Sequence, residues 1–181
     1  MPAESSRALV DSFGGEYARY RATAEGALAQ VRDDAFFATL DPTANSIAVL
    51  VKHVGGNLRS RFTDFLDSDG EKSWRDRDNE FVADGQERKR LMDEIWQPGW
   101  AAVEQTVATL CDADLVRSVT IRGKPLSVAE ALCRSVAHTA THVGQIVLLA
   151  KHAAGPAWQT LSIARGESAT YNRNPTRERR P

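Results

Sequence analysis

Apolar residues recur at spacings of three and four through four long stretches of this chain, the periodicity of amphipathic helices. The first stretch runs from about Ser5 to Val31 and puts Leu9, Phe13, Tyr17, Tyr20, Ala24 and Leu28 on a common face, with Gly14-Gly15 as a local weak point. The second opens within "DPTANSIAVLV", where Asn45 or Ser46 can serve as N-cap. Its apolar stripe is Ile47, Leu50, Val51, Val54, Leu58, Phe62 and Phe65. A third begins near Gln86 and carries Leu91, Ile95, Trp96, Val103, Val107 and Leu110. Pro98-Gly99 inside it predicts a kink or a split, because proline removes one helical hydrogen bond and crowds the carbonyl four residues back. The fourth runs from Ser127, which has capping-box spacing to Glu130, to about Ala154.

Between the second and third stretches lies a polar loop of alternating charge, "DSDGEKSWRDRDNEF". The one strand-like segment, "LVRSVTIRGKPLSV", reads as a small hairpin turning at Arg122-Gly123. The pattern therefore predicts an all-α four-helix bundle with a small β-hairpin before the last long helix. At 181 residues the chain is long enough for one domain with its own core, expected over residues 1–172. Residues 173–181, arginine-rich and without apolar positions, read as a basic flexible tail.

Composition narrows the partners. The chain is 42% hydrophobic and 26% charged with a formal net charge of -1, so no global basic field draws it to nucleic acid or to an anionic membrane. The N-terminal "MPAESSRALVDSFGGEY" lacks the pattern of a signal peptide. The apolar run "SIAVLV" is broken by Lys52, far short of the roughly 20 residues of a membrane span. Cys111 and Cys133 are isolated, with no CxxC spacing, which suits reduced thiols and a cytoplasmic location.

Candidate chemistry concentrates on the fourth helix. Val136, Ala140, Val143 and Val147 make one face, and opposite them run Arg134, His138, Thr141, His142 and Gln145. No Lys or Glu interrupts "HTATHVGQ", so this stripe reads as a polar cleft in or at the mouth of the bundle rather than a solvated face. His138 and His142 stand about 6 Å apart along the axis and about 40° apart around it, close enough to share a metal ion. Thr139 occupies the place of the glutamate in the HExxH metalloprotease motif, which excludes that motif. His152 lies about 21 Å further along the axis and cannot reach the same ion. His53, in "VLVKHVGGNL", stands at the edge of the second stripe; a lone histidine there is more often a hydrogen-bonded core residue than a ligand. Gly55-Gly56 beside it serves either close helix packing or backbone room next to a cleft. Three histidines on two helices nevertheless match the way bundle cores assemble metal sites. Cys133 points about 140° away from His138 and suits core packing better than ligation.

With the phrases "VKHVGGNLRSRFTDFL", "GEKSWRDRDNEF", "HTATHVGQIVLLAKH" and "LSIARGES", these features resemble the DinB/YfiT superfamily of metalloenzymes over the span from Ser46 to Asn172, in a branch related to thiol-dependent S-transferases. The resemblance implies a divalent ion, zinc or nickel, held by His53, His138 and His142 with positions left for water or substrate. It also implies a small-molecule substrate, a low-molecular-weight thiol such as mycothiol, bacillithiol or glutathione, and a homodimer. A metal-dependent hydrolase and a non-catalytic metal-binding stress or interaction bundle are the alternatives. Such a centre would bring a bound water or thiol toward ionisation at neutral pH. Asn57, Thr141 and Gln145 are candidates to touch the ligands or the substrate. The segment Gly70 to Phe81 either closes over the cleft, with Arg75 or Arg77 on an anionic group, or is a solvated loop of paired charges. Since ligands must be neutral imidazoles, acid is expected to release the ion from about pH 6 downward.

Overall fold

Helices form wherever the apolar period is that of a helix, and the one hairpin forms where it lapses; the computed structural model describes residues 6–83 and 85–176. In chain order these are α1 (Ala8–Leu28), α2 (Asp33–Phe37), α3 (Ile47–Phe62), a 3-10 turn at Asp78–Phe81, α4 (Arg88–Leu91), a π turn at Met92–Trp96, and α5 (Gln97–Thr109). A second 3-10 turn, Asp112–Val116, leads to strands β1 (Ser118–Ile121) and β2 (Lys124–Ser127), then α6 (Val128–Ala154), a short turn at Gly155–Ala157, and α7 (Ser168–Tyr171). The fold is mostly helical with one antiparallel hairpin. Among the described residues no helix is long and apolar enough to cross a membrane.

The long helices form a ring of neighbours: α1 packs on α6 and α5, and α3 packs on α5 and α6. Ser46 caps α3 by accepting the Val49 N–H at 3.2 Å. Ser127 and Glu130 cap α6 reciprocally, with Ser127 N–H donating to Glu130 Oε2 at 2.7 Å. Ser5 lies outside the described residues, as do residues 177–181 of the expected tail. Leu9 is 59% exposed, whereas Val10, Tyr17 and Ala24, each seven residues apart, line the buried side of α1. In the first turn a residue one position off the stripe is rotated by about 100° into solvent. Asp112 accepts the N–H groups of both Leu9 and Val10, so α1 is capped from across the fold rather than by its own N-cap residue.

Pro98 splits the third stretch into three pieces. The turn before it widens, Gln97 N–H bonding to the carbonyl of Met92 five residues back. That π turn gives the proline ring room and absorbs its missing donor. Just beyond, α5 meets α3 backbone to backbone: a Cβ on Gly99 would stand 2.5 Å from the Gly55 carbonyl oxygen, and one on Gly55 2.6 Å from that of Ile95.

Thirteen of the sixteen residues of α3 are buried, including Lys52, His53, Asn57 and Ser60. An amphipathic stripe alone would leave those polar residues wet. They are covered because the polar loop wraps the outer side of α3 and is tied down at both ends. Gly70 N–H donates to Thr120 O at 2.8 Å, and Asp69 accepts the N–H groups of Arg122 and Gly123. Those two residues form the hairpin turn with φ of 54° and 68°, the left-handed pair of a type I′ turn. At the far end Lys52 Nζ donates to the carbonyls of Asn79 and Val82, both at 2.7 Å.

The buried line of α6 is Val128, Leu132, Ser135, Thr139, Val143, Ile146 and Ala150. Val136, Ala140 and Val147, placed by hydropathy at the centre of the apolar face, are half-buried on its flank. Ser135 and Thr139 are small enough to pack at the helix contact, and hydropathy alone counts them as exterior.

Because the Gly99 contact is with backbone, Gly99→Ala should lower stability by about 1–3 kcal/mol despite the better helix propensity of alanine. Among the described residues nothing lies within 4 Å of a Cβ on Gly144, in the exposed middle of α6. Gly144→Ala should therefore raise stability by up to about 1 kcal/mol, and denaturant unfolding of both variants checks the pair.

Candidate metal centre

His53 projects from the middle of α3 and is 5% exposed; His138 and His142 lie on the flank of α6 that faces α3, both half-buried. One ring nitrogen from each lies within 4.8 Å of the other two. His53 Nε2 and His138 Nε2 are 3.1 Å apart. In a tetrahedral site with Zn–N bonds of about 2.0–2.1 Å, ligand nitrogens stand about 3.3 Å from one another. The His53–His138 pair is close to the spacing of two ligands on one ion, and His142 stands within reach of the same point.

The ring protons are directed as well. His53 Nδ1 is 2.8 Å from Glu80 Oε2, and a carboxylate accepts, so the hydrogen sits on Nδ1 and the Nε2 lone pair faces the cluster. His142 Nδ1 is 2.7 Å from Gln145 Oε1 and donates to it, leaving Nε2 free in the same way. His138 Nδ1 is buried without a hydrogen-bond partner among the described residues, and its Nε2 is the atom that meets His53. The Nε2 lone pairs of His53 and His142 both face the cluster, and His138 Nε2 either donates to His53 Nε2 or, with its proton on Nδ1, offers a third lone pair to a cation. The donor set fits a metal ion.

Glu80 is the member of this site that spacing did not reveal. It is 5% exposed, and besides His53 it takes Arg75 Nε on Oε1 at 2.8 Å and Arg75 Nη2 on Oε2 at 2.9 Å. Burial alone would raise its pKa. The hydrogen bonds from His53 and Arg75, together with the Arg75 charge, outweigh burial and hold the carboxyl below its usual range. A Cβ on Gly56 would collide with Glu80 Oε1. The two glycines after His53 thus divide the work: Gly55 admits a helix, and Gly56 admits the carboxylate that orients His53. The one sequence signal for Glu80 was that second glycine, because a partner 27 residues away in a charged loop follows no helical spacing.

The loop from Gly70 to Phe81 therefore supplies a side chain to the centre, and the anionic group that Arg75 holds is Glu80 itself. Arg77 instead stands with its guanidinium carbon 5.2 Å from the Phe81 ring. Asn57 is buried one turn beyond His53 and lines the adjoining cavity. Thr141 is exposed, and its hydroxyl donates to the Ala137 carbonyl at 2.9 Å. Gln145, also exposed, reaches the centre through His142. His152 is exposed and lies outside the three-histidine group. Cys133 is exposed too, so it does not pack in the core; the rotation that turns it from His138 also turns it away from the helix contacts.

Burial first, then the charges of His142 and His53 and of nearby Arg75 and Arg61, push the His138 pKa down to about 4. Burial also lowers His142, against the raising effect of Gln145. Both rings are thus neutral at pH 7, the form a metal requires, and acid release should begin below the pH 6 expected of ordinary imidazoles.

Fold and site together define a class: a mostly helical protein in which three imidazoles from two helices could hold a metal ion. Residues 4–167 match the family described as "Protein of unknown function (DUF1572)", and the chain belongs to that family. No curated protein and no solved structure matches it.

Purified protein should carry about one divalent ion per chain. Elemental analysis should find it lost in the His53→Ala, His142→Ala double variant and kept in His152→Ala; the reverse pattern would reassign the third ligand. Glu80→Gln should weaken zinc binding by about 10–100-fold in a competition assay, the usual cost of removing a carboxylate behind a ligating histidine. Metal-free protein should lose stability as pH falls from 6.5 toward about 4, because His138 takes up its proton more readily unfolded than folded. Thermal unfolding across that window, unchanged in His138→Gln, would remove His138 as the cause.

Proposed function

We propose that this chain is a DinB-like four-helix bundle that binds zinc or nickel through His53, His138 and His142. In this reading it works in the cytoplasm as a homodimeric, thiol-dependent S-transferase on a small molecule. The ring in which α1, α6, α3 and α5 are neighbours supports the bundle. The observation that carries the rest is the convergence of three imidazoles beside a cavity of about 230 Å³ lined by His53, His138, Asn57 and Ser135. That volume is below the usual range for drug-sized ligands and suits a small molecule or its reacting end.

A divalent ion in such a centre supplies Lewis acidity that brings a thiol or water toward ionisation at neutral pH. The protein's own residues do the rest. Neutral ligands add no negative charge at the reacting centre, unlike a set that includes a carboxylate. Glu80 keeps the His53 proton on Nδ1 and the ring in place. Asn57 offers an amide at the cavity wall, able both to donate and to accept.

A panel of low-molecular-weight thiols with halogenated or epoxide electrophiles should show turnover only in metal-loaded protein, with a rate that rises with pH through an apparent pKa near neutrality. Turnover of activated esters without thiol would mark a hydrolase instead. An ion that stays bound with no turnover in either panel would make the protein a metal-binding bundle.

A further inference from the structure

The cavity beside the three histidines is walled by five arginines, Arg61, Arg75, Arg77, Arg122 and Arg134, and, among the described residues, by no aspartate or glutamate. Two carboxylates just outside it answer part of this charge. Glu71 Oε2 is 3.0 Å from both Arg61 Nη2 and Arg122 Nε, and Glu80 is taken by Arg75. Arg77 has only the Phe81 ring, and neither it nor Arg134 has an ion-pair partner among the described residues. Arg75 is left with a spare donor: its side chain is 2% exposed, and among the described residues its Nη1 has no hydrogen bond, with a Glu71 carboxylate oxygen at 3.8 Å.

Guanidinium groups gathered on one small concavity repel each other and any metal ion beside them, a cost that vanishes when an anion enters. Their planar donor forks match the oxygens of carboxylate and phosphate groups. We infer that this cavity is an oxyanion-binding subsite, in which Arg77, Arg134 and Arg75 Nη1 hold a carboxylate or phosphoryl group of a small anionic substrate and present the rest of it to the histidine centre. This names the substrate class for the proposed reaction and rests on that reading only for its purpose. The capture of the anion depends on the arginines alone.

Isothermal titration of malonate and of inorganic phosphate, separately, into zinc-loaded and metal-free protein tests it, in a buffer free of both chemistries. One site with Kd below about 1 mM is expected in both forms. Arg77→Ala, Arg134→Ala, both at exposed positions, should weaken it by about tenfold or more while zinc content and thermal unfolding match the wild type. Tighter malonate points to a carboxylate substrate and tighter phosphate to a phosphoryl one. Binding of neither anion would overturn the inference. So would binding unaffected by the double substitution, or binding seen only with zinc present. A chain that takes up no zinc yet binds the anion would remove the metal reading and leave the subsite standing.

Discussion

The hydrogen bond between Glu80 and His53 is the constraint on which the rest of the site depends. It runs between a loop and the most buried helix of the fold, at 2.8 Å, with both side chains less than a tenth exposed. A carboxylate so placed is costly unless every lone pair is used, and Arg75 uses the remainder. Removing one partner of a buried ion pair such as Arg75–Glu80 typically costs about 3–5 kcal/mol, so the loop, the arginine and the histidine hold one another in a single arrangement.

Several features that look unrelated serve this one bond. Gly56 leaves the space, Lys52 fixes the loop by the carbonyls of Asn79 and Val82, and Asp69 fastens the other end to the hairpin turn. The hairpin in turn leads into α6, which brings His138 and His142. The polar loop is thus part of the wall of the site, and its two arginines, Arg75 and Arg77, line the cavity that the histidines overlook.

Element by element, much of this was legible in the sequence. The long helices, the caps at Ser46 and Ser127, the break at Pro98 and the turn at Arg122-Gly123 all follow from local rules, because each depends on residues within a few positions of one another. The pairing of His138 with His142 followed from helical geometry on α6, whereas His53 as the third member came from the family resemblance, because a single histidine at a stripe edge carries no such spacing. Three things were not legible. The short α2 has too few residues for a period to show. The buried line of α6 passes through Ser135 and Thr139, which burial treats as small and hydropathy treats as polar. Glu80 was hidden because its partner lies across a loop whose course is set by tertiary hydrogen bonds; alternating charges looked like a solvated surface until the loop was seen to wrap α3.

Three imidazoles, one of them oriented by Glu80, are placed so that they could hold one metal ion. X-ray absorption at the zinc edge of the loaded protein addresses this most directly. The expected spectrum has a first shell of nitrogen and oxygen at about 2.0–2.1 Å, with the outer-shell scattering of three imidazole rings. A first shell containing sulfur, or scattering from fewer than two imidazoles, would contradict the account.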